Sequence, residues 1–213
     1  MQYRPNTKED VDSWKEVQLI YNSALKEVGT KLEILNDEFQ HVHNYNPIEH
    51  IKSRIKTSDS IVKKLKKNGL EPTIENMVEY ICDIAGIRVI CSFESDIYKI
   101  AKMLALQSDI KILSIKDYIK NQKPSGYKSY HLIVLIPIFL SNSVVEAKVE
   151  IQIRTIAMDF WASLEHKIHY KFEGNVPINI REELVDCARM ISSLDTKMMN
   201  LNDEVQKQVS DLE

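Results

Sequence analysis

Two acidic residues stand inside short apolar runs, Asp83 in DIAGIRVIC and Glu150 in VEIQIRT. A magnesium ion on nucleotide phosphates takes only one or two carboxylates from a protein, and carboxylates near strands of one sheet are a natural source of them. Taken singly, Asp83 also reads as a turn cap and Glu150 as exposed strand surface, although Gln152 and Arg154 share the face of Glu150. Residues 54–67, RIKTSDSIVKKLKK, add cations: Ser60 and Lys64 lie four apart on one helical face, with Arg54 and Lys56 just ahead of the helix start. Lysine supplies compact charge, arginine can fork onto phosphate or lie flat on a base, and a helix N-terminus adds unpaired N–H groups. Such a set can surround a polyphosphate. The plainer alternative is a solvated basic helix face. Arg88, close to Asp83, reads either as its ion-pair partner or as a group that meets a base or a phosphate.

KPSGYKSYH, residues 123–131, is a second cluster. Gly126 permits a tight turn, Tyr127 presents a flat ring, and Lys116, Lys120, Lys123 and Lys128 surround it with charge. A purine can stack on that tyrosine with its phosphates toward the lysines; a surface loop with incidental lysines is the competing reading. His131 serves as a structural histidine or as a phosphate donor. The five glycines form neither GxxxxGK[ST] nor GxGxxG, which excludes a P-loop or a dinucleotide fingerprint. Any phosphate must then be held by side chains and helix ends. Glu165, His166 and His169 do not make HExxH, and His41 and His43 have no evident partner ligands, so zinc is not expected. No GxSxG or cysteine–histidine pattern suggests a covalent nucleophile.

The elements that must position these residues are legible from periodicity. Apolar residues from Trp14 to Phe39 recur every three or four positions, predicting a long amphipathic helix. Pro47 is expected to begin a second helical stretch. Thr57 or Ser58 caps a further helix that Gly69 ends. IRVICSF (87–93) reads as a buried strand, 95–106 as a helix, and 111–119, 131–138 and 145–155 as three more strands, the last two paired as a hairpin. In 145–155, Val149, Ile151 and Ile153 point one way and Glu150, Gln152 and Arg154 the other. A helix over 157–172 follows. The tail then repeats Ile191, Leu194, Met198, Leu201, Val205 and Leu212 at heptad positions, for packing within the chain or against another subunit.

The 213 residues predict a single α/β domain of the α+β kind, with an N-terminal helix over 8–43 and a C-terminal helical tail over 178–212. With 44% apolar and 28% charged residues the chain has the composition of a folded globular protein, and a net charge of −3 gives no global field for nucleic acid. Cys82, Cys91 and Cys187 form no CxxC pair and read as reduced thiols. The polar N-terminus carries no apolar signal segment, so a cytoplasmic protein is expected.

RIKTSDSIVKKLKK, DIAGIRVIC, KDYIKNQKPSGYKSYHLIV and VEIQIRTIAMDFWASLEHKIHYK, in this order, resemble the synthetase domain of the RelA/SpoT family, and in particular its small stand-alone alarmone synthetases. The resemblance covers about 47–173. It implies a mixed-sheet, nucleotidyltransferase-like fold and transfer of pyrophosphate from ATP to the 3'-hydroxyl of GTP or GDP, giving pppGpp or ppGpp and AMP in the stringent response. Position by position, it implies that Arg54 and Arg88 flank adenine, that Lys56, Ser60 and Lys64 hold the ATP phosphates, and that Asp83 and Glu150 bind Mg2+, with Glu150 also a base. Tyr127 would stack on guanine, Lys116, Lys123 and His131 would lie by the acceptor phosphates, and Gln152 would support the site. Relatives often carry Asn where this chain has Ser125 and Asp159, which bears on the preference among GTP, GDP and GMP. The chain has no His-Asp dipeptide of the family's metal-dependent hydrolase, so synthesis without hydrolysis is implied. The resemblance also implies a homotetramer, and in some relatives control by alarmone or single-stranded RNA. Two other readings compete: a nucleotidyltransferase that releases pyrophosphate, and a noncatalytic RNA-binding scaffold.

Overall fold

A computed structural model describes residues 8–172 and 175–210. In chain order these form α1 (Lys8–His43), β1 (Ile48–Ile55), α2 (Ser58–Lys67), α3 (Ile74–Tyr80), β2 (Ala85–Cys91), α4 (Glu94–Ala105), β3 (Lys111–Asp117), β4 (Tyr130–Phe139), β5 (Val144–Thr155), α5 (Ile156–Lys171) and α6 (Ile178–Ser210). The expected Leu212 of the heptad tail and the first seven residues lie outside the described residues. Among those described, no helix is long and apolar enough to cross a membrane.

The strands build one mixed sheet in the order β1-β2-β5-β4-β3. Only the β2–β5 pair is parallel; the others are antiparallel, β4 and β5 as the expected hairpin. Strand alternation makes the sheet two-faced. Ile87 and Val89 of β2, Leu132, Val134 and Ile136 of β4, and Val149, Ile151 and Ile153 of β5 are buried together. Helix α1 covers them with Val17, Tyr21, Ala24, Val28 and Leu32, the three-and-four repeat of its sequence, and α4 adds Ile97, Ile100 and Leu104. The other face is left to polar side chains.

Pro47 does not begin a helix; the residues after it are the edge strand β1. Ile48, Ile51 and Ile55 have helical spacing, but a register irregularity between Ile48 and His50 absorbs one residue. That bulge brings Ile48 onto the side of Ile51 and Ile55, so a strand satisfies the same apolar pattern while pairing its backbone with β2. The short α3, capped by the Thr73 side chain, lies where the sequence pattern predicts no element. The Thr57 cap of α2 is as expected: its Oγ1 accepts from Ser60 N, and Asn68 and then Gly69, at φ 74°, close the helix.

Helix α6 runs back over the loop between β3 and β4. Trp161 of α5 donates to Leu184 O at 2.9 Å, and Trp161, Ala162 and Ala188 form a small second core. Gly126, at φ 92°, is pressed into it: a Cβ there would lie 2.5 Å from Ala188 Cβ. Farther along, Lys128 donates to Ser192 Oγ at 2.6 Å and Thr155 to Asp195 at 2.7 Å. Gly126→Ala should therefore cost about 1–3 kcal/mol of unfolding free energy through overpacking and a left-handed backbone. In urea titrations that cost should shrink in an Ala188→Gly background; an equal cost in both backgrounds would contradict the contact.

Candidate functional site

The polar face of the sheet is assembled by register. Lys52 of β1 pairs with Arg88 of β2, Arg88 with Gln152 of β5, Gln152 with His131 of β4, and His131 with Lys116 of β3. One row thus crosses all five strands and gathers four residues singled out from sequence. In the neighbouring row Arg54 faces Gly86 and Gly86 faces Glu150. Without a side chain at Gly86, a cavity of about 200 Å³ opens between Arg54 and Glu150, lined also by Asp83, Arg88 and Gln152. Asp83 and Glu150 therefore share one cavity, 67 residues apart in sequence.

Asp83 precedes β2, and its carboxylate meets two lysines. Lys56 Nζ lies 2.7 Å from Oδ2 and Lys64 Nζ lies 2.8 Å from Oδ1. Burial alone would raise the Asp83 pKa, but the hydrogen bonds and charges of Lys56 and Lys64 outweigh it and hold the carboxyl below its usual range. Ser60 is exposed in the first turn of α2 and accepts from the Thr57 hydroxyl at 2.8 Å. The basic segment is thus no merely solvated helix face: two of its lysines turn onto an acid of the cavity.

Glu150 is held from two sides. Gln152 Nε2 donates to Oε2 at 2.8 Å, and His131 Nδ1 lies 3.4 Å from Oε1. Burial pushes the Glu150 pKa up, and hydrogen bonds from His131 and Gln152 bring it back below the ordinary value. Both acids are therefore carboxylates at neutral pH. Arg88 is half-buried; burial lowers its pKa and the nearby Arg154 lowers it further, against the charge of Asp159. Its Nε is buried without a hydrogen-bond partner.

The loop places Tyr127 half-exposed, its hydroxyl 2.9 Å from His131 Nε2. Lys123 Nζ lies 4.7 Å from the Tyr127 ring centroid and 4.5 Å from that of Tyr118. A turn closed by Gly126 N donating to Lys123 O sets this geometry, with Gln122 Nε2 bonded to Gly126 O. The four loop lysines do not act together. Lys123 stays by the tyrosine and Lys116 is exposed on β3, but Lys120 stands over Tyr98 and Lys128 is drawn to α6. His131 is buried, with both ring nitrogens engaged by Tyr127 and Glu150.

Sequence reasoning passed over Arg154 beyond noting its face. It is buried, bonding Tyr127 Oη, Gln152 Oε1 at 2.9 Å and Asp159 Oδ1 at 3.1 Å. The signal was present in QIRT: a long cation on the polar side of a central strand must find buried partners. Among the described residues, no cluster of three or more His, Cys, Asp or Glu has the arrangement of a metal site. Two carboxylates on one cavity do suit a cation whose other ligands come from phosphates.

The family model described as the region found in RelA / SpoT proteins matches residues 53–175. The chain is 49% identical over 195 residues to the GTP pyrophosphokinase YwaC of Bacillus subtilis (strain 168), covering 92% of this chain and 93% of that protein. The crystal structure of small alarmone synthetase 2 from Bacillus subtilis is similar at a TM-score of 0.82 with 48% identity, covering 90% of this chain and 98% of that one. Small alarmone synthetase 1 from the same organism, bound to its product pppGpp, is similar at 0.83 with 35% identity, over 91% and 98%.

Because both acids have lowered pKa values in the folded state, their contribution to stability is present above the unfolded carboxyl value and is lost as pH falls through the folded one. Asp83→Asn removes one of the two. Urea unfolding measured between about pH 3 and 7 should show a shallower loss of stability toward acid in the variant than in the parent. Parallel curves would contradict the two-lysine clamp.

Proposed function

Since the chain belongs to the RelA/SpoT family, among its small alarmone synthetases, we propose that it transfers the pyrophosphate of ATP to the 3'-hydroxyl of GTP or GDP, releasing AMP. The observation that carries this reading is the pair Asp83 and Glu150 on one cavity with Arg54 and Arg88. Lys56 and Lys64 already turn inward there, and the Glu150 carboxylate is tied through His131 to Tyr127.

Phosphoryl-type transfer demands in-line placement and relief of repulsion between anions more than covalent chemistry. In this proposal Arg54 and Arg88 flank the adenine, and Lys56, Lys64 and Ser60 hold the ATP phosphates. Tyr127 stacks on guanine, while Lys116, Lys123 and His131 line the acceptor side. Asp83 and Glu150 would hold Mg2+, which when bound would neutralise charge on the phosphates. The 3'-oxygen bonds to the β-phosphorus of ATP, the bond from that phosphorus to the α,β-bridging oxygen breaks, and the hydroxyl proton passes to Glu150. Gln152 and His131 keep the Glu150 carboxylate ionised and aimed. The reading includes no hydrolysis of the product, places the enzyme in the cytoplasm and the stringent response, and treats 1–213 as one domain with its core at 47–173.

The exposed stripe of Leu194, Met198, Leu201 and Val205 on α6 is assigned to contacts between copies in a homotetramer. Alarmone or single-stranded RNA is the regulator proposed for such an assembly.

Labelled ATP, magnesium and each guanine nucleotide in turn, with products separated, test the reaction. AMP and a 3'-pyrophosphorylated guanine nucleotide support it; release of pyrophosphate makes the enzyme a nucleotidyltransferase of another kind. RNA affinity without magnesium-dependent ATP consumption makes it a binding module. Glu150→Gln should leave nucleotide binding measurable and lower turnover at least about a hundredfold. Tyr127→Ala should weaken GTP by about 1–3 kcal/mol in equilibrium binding and spare ATP; equal losses would remove the stacking role.

A further inference from the structure

Asp159 stands in the first turn of α5, five residues past Arg154 at the end of β5. Its Oδ1 lies 3.1 Å from Arg88 Nη1 and 3.1 Å from Arg154 Nη1. Among the described residues it is the single anion in ion-pair contact with either guanidinium. Thr155 fixes the helix start on which it rides: its Oγ1 accepts from Met158 N at 3.1 Å and donates to Asp195 of α6.

The two arginines lead to different places. Arg88 lines the cavity with Asp83 and Glu150, and its Nε is buried without a partner. Arg154 reaches the loop between β3 and β4, its Nη2 donating both to the Tyr127 hydroxyl and to Gln152 Oε1 and its Nε donating to Ser129 Oγ at 3.3 Å. Arg154 is almost wholly enclosed, its side chain 5% exposed, and Asp159 is 14% exposed. Arg154, 5% exposed, cannot be rehydrated in place if it loses its anion, whereas Arg88, 32% exposed on the cavity, can; without the carboxylate between them the two guanidinium groups repel. Both would turn away from their present partners.

We propose that Asp159 is a positioning residue for both nucleotide subsites, its one carboxylate setting Arg88 on the donor side and, through Arg154, the Tyr127 hydroxyl on the acceptor side. The inference rests on the proposed function for the identity of the two ligands. Asp159 acts by keeping a base-flanking arginine and a base-stacking ring in register, so a change at one residue is read at two sites.

The test is equilibrium binding of GDP and of a non-hydrolysable ATP analogue to the full chain, its Asp159→Asn and Tyr127→Phe variants and the double variant. Asp159→Asn should weaken each nucleotide about tenfold, the scale of one charge-assisted hydrogen bond. Tyr127→Phe, which keeps the ring and removes the hydroxyl that Arg154 holds, should weaken GDP alone. Arg154 also lies over the Tyr127 ring, 5.0 Å from its centroid, a contact that Tyr127→Phe keeps, so in that background Asp159→Asn should have a smaller effect on GDP than in the parent and its full effect on the ATP analogue. A general loss of folding does not produce this split. Unchanged affinity in Asp159→Asn, or an equal GDP loss with and without the hydroxyl, overturns the proposal. Should Asp159→Asn not fold, Tyr127→Phe decides alone: GDP binding at the parental level refutes it. A parent chain that binds neither nucleotide overturns the proposed function itself, a result distinct from these.

Discussion

Parallel pairing of β2 with β5 sets Gly86 opposite Glu150 and Arg88 opposite Gln152, and antiparallel pairing of β4 with β5 sets His131 opposite Gln152. Because side chains alternate along a strand, a slip of one residue in either pairing would send Glu150 into the apolar layer and bring Ile151 to the polar face. The apolar layer prevents that slip. Val149, Ile151 and Ile153 are fully enclosed beneath α1, so the free energy of burying them also holds the acid in place. Fold stability and site geometry are two consequences of one register.

On the polar face, three carboxylates are each matched by donors or cations. Asp83 holds two lysines, Asp159 two arginines, and Glu150 an amide and an imidazole. Cations packed this closely repel one another, and carboxylates between them make the arrangement possible without a ligand. The same carboxylates are suited to share a divalent cation with phosphates. Rigid scaffolding surrounds this centre: α6 closes over Gly126, and the loop bearing Tyr127 is fastened at Lys128 and Ser129 rather than left free. An aromatic ring on such a loop loses little conformational entropy when a ligand arrives.

Where the local reading failed, a long-range contact had overruled it. Ile48, Ile51 and Ile55 satisfy a helical spacing, and nothing nearby in sequence reveals that an edge of β2 is open to them; the bulge at Ile48 to His50 reconciles the spacing with a strand. The four loop lysines looked equivalent until Tyr98 and Ser192, each remote in sequence, drew Lys120 and Lys128 away. Arg154 was legible as polar, but its role as the hub between Tyr127, Gln152 and Asp159 was not.

By itself the sequence determined which strands and helices exist over most of the chain, that β5 has one apolar and one polar face, and that acids and cations of a phosphate-handling type lie beside strands and a helix start. Those properties depend on side chains two to four residues apart, and periodicity records them directly. Only the tertiary structure decided that Asp83 and Glu150 line the same cavity, that Lys56 and Lys64 converge on one carboxylate, and that Asp159 joins Arg88 to Arg154. Each of these juxtapositions depends on strand register and helix docking, which are set by the burial of the whole apolar face and not by any short stretch of residues.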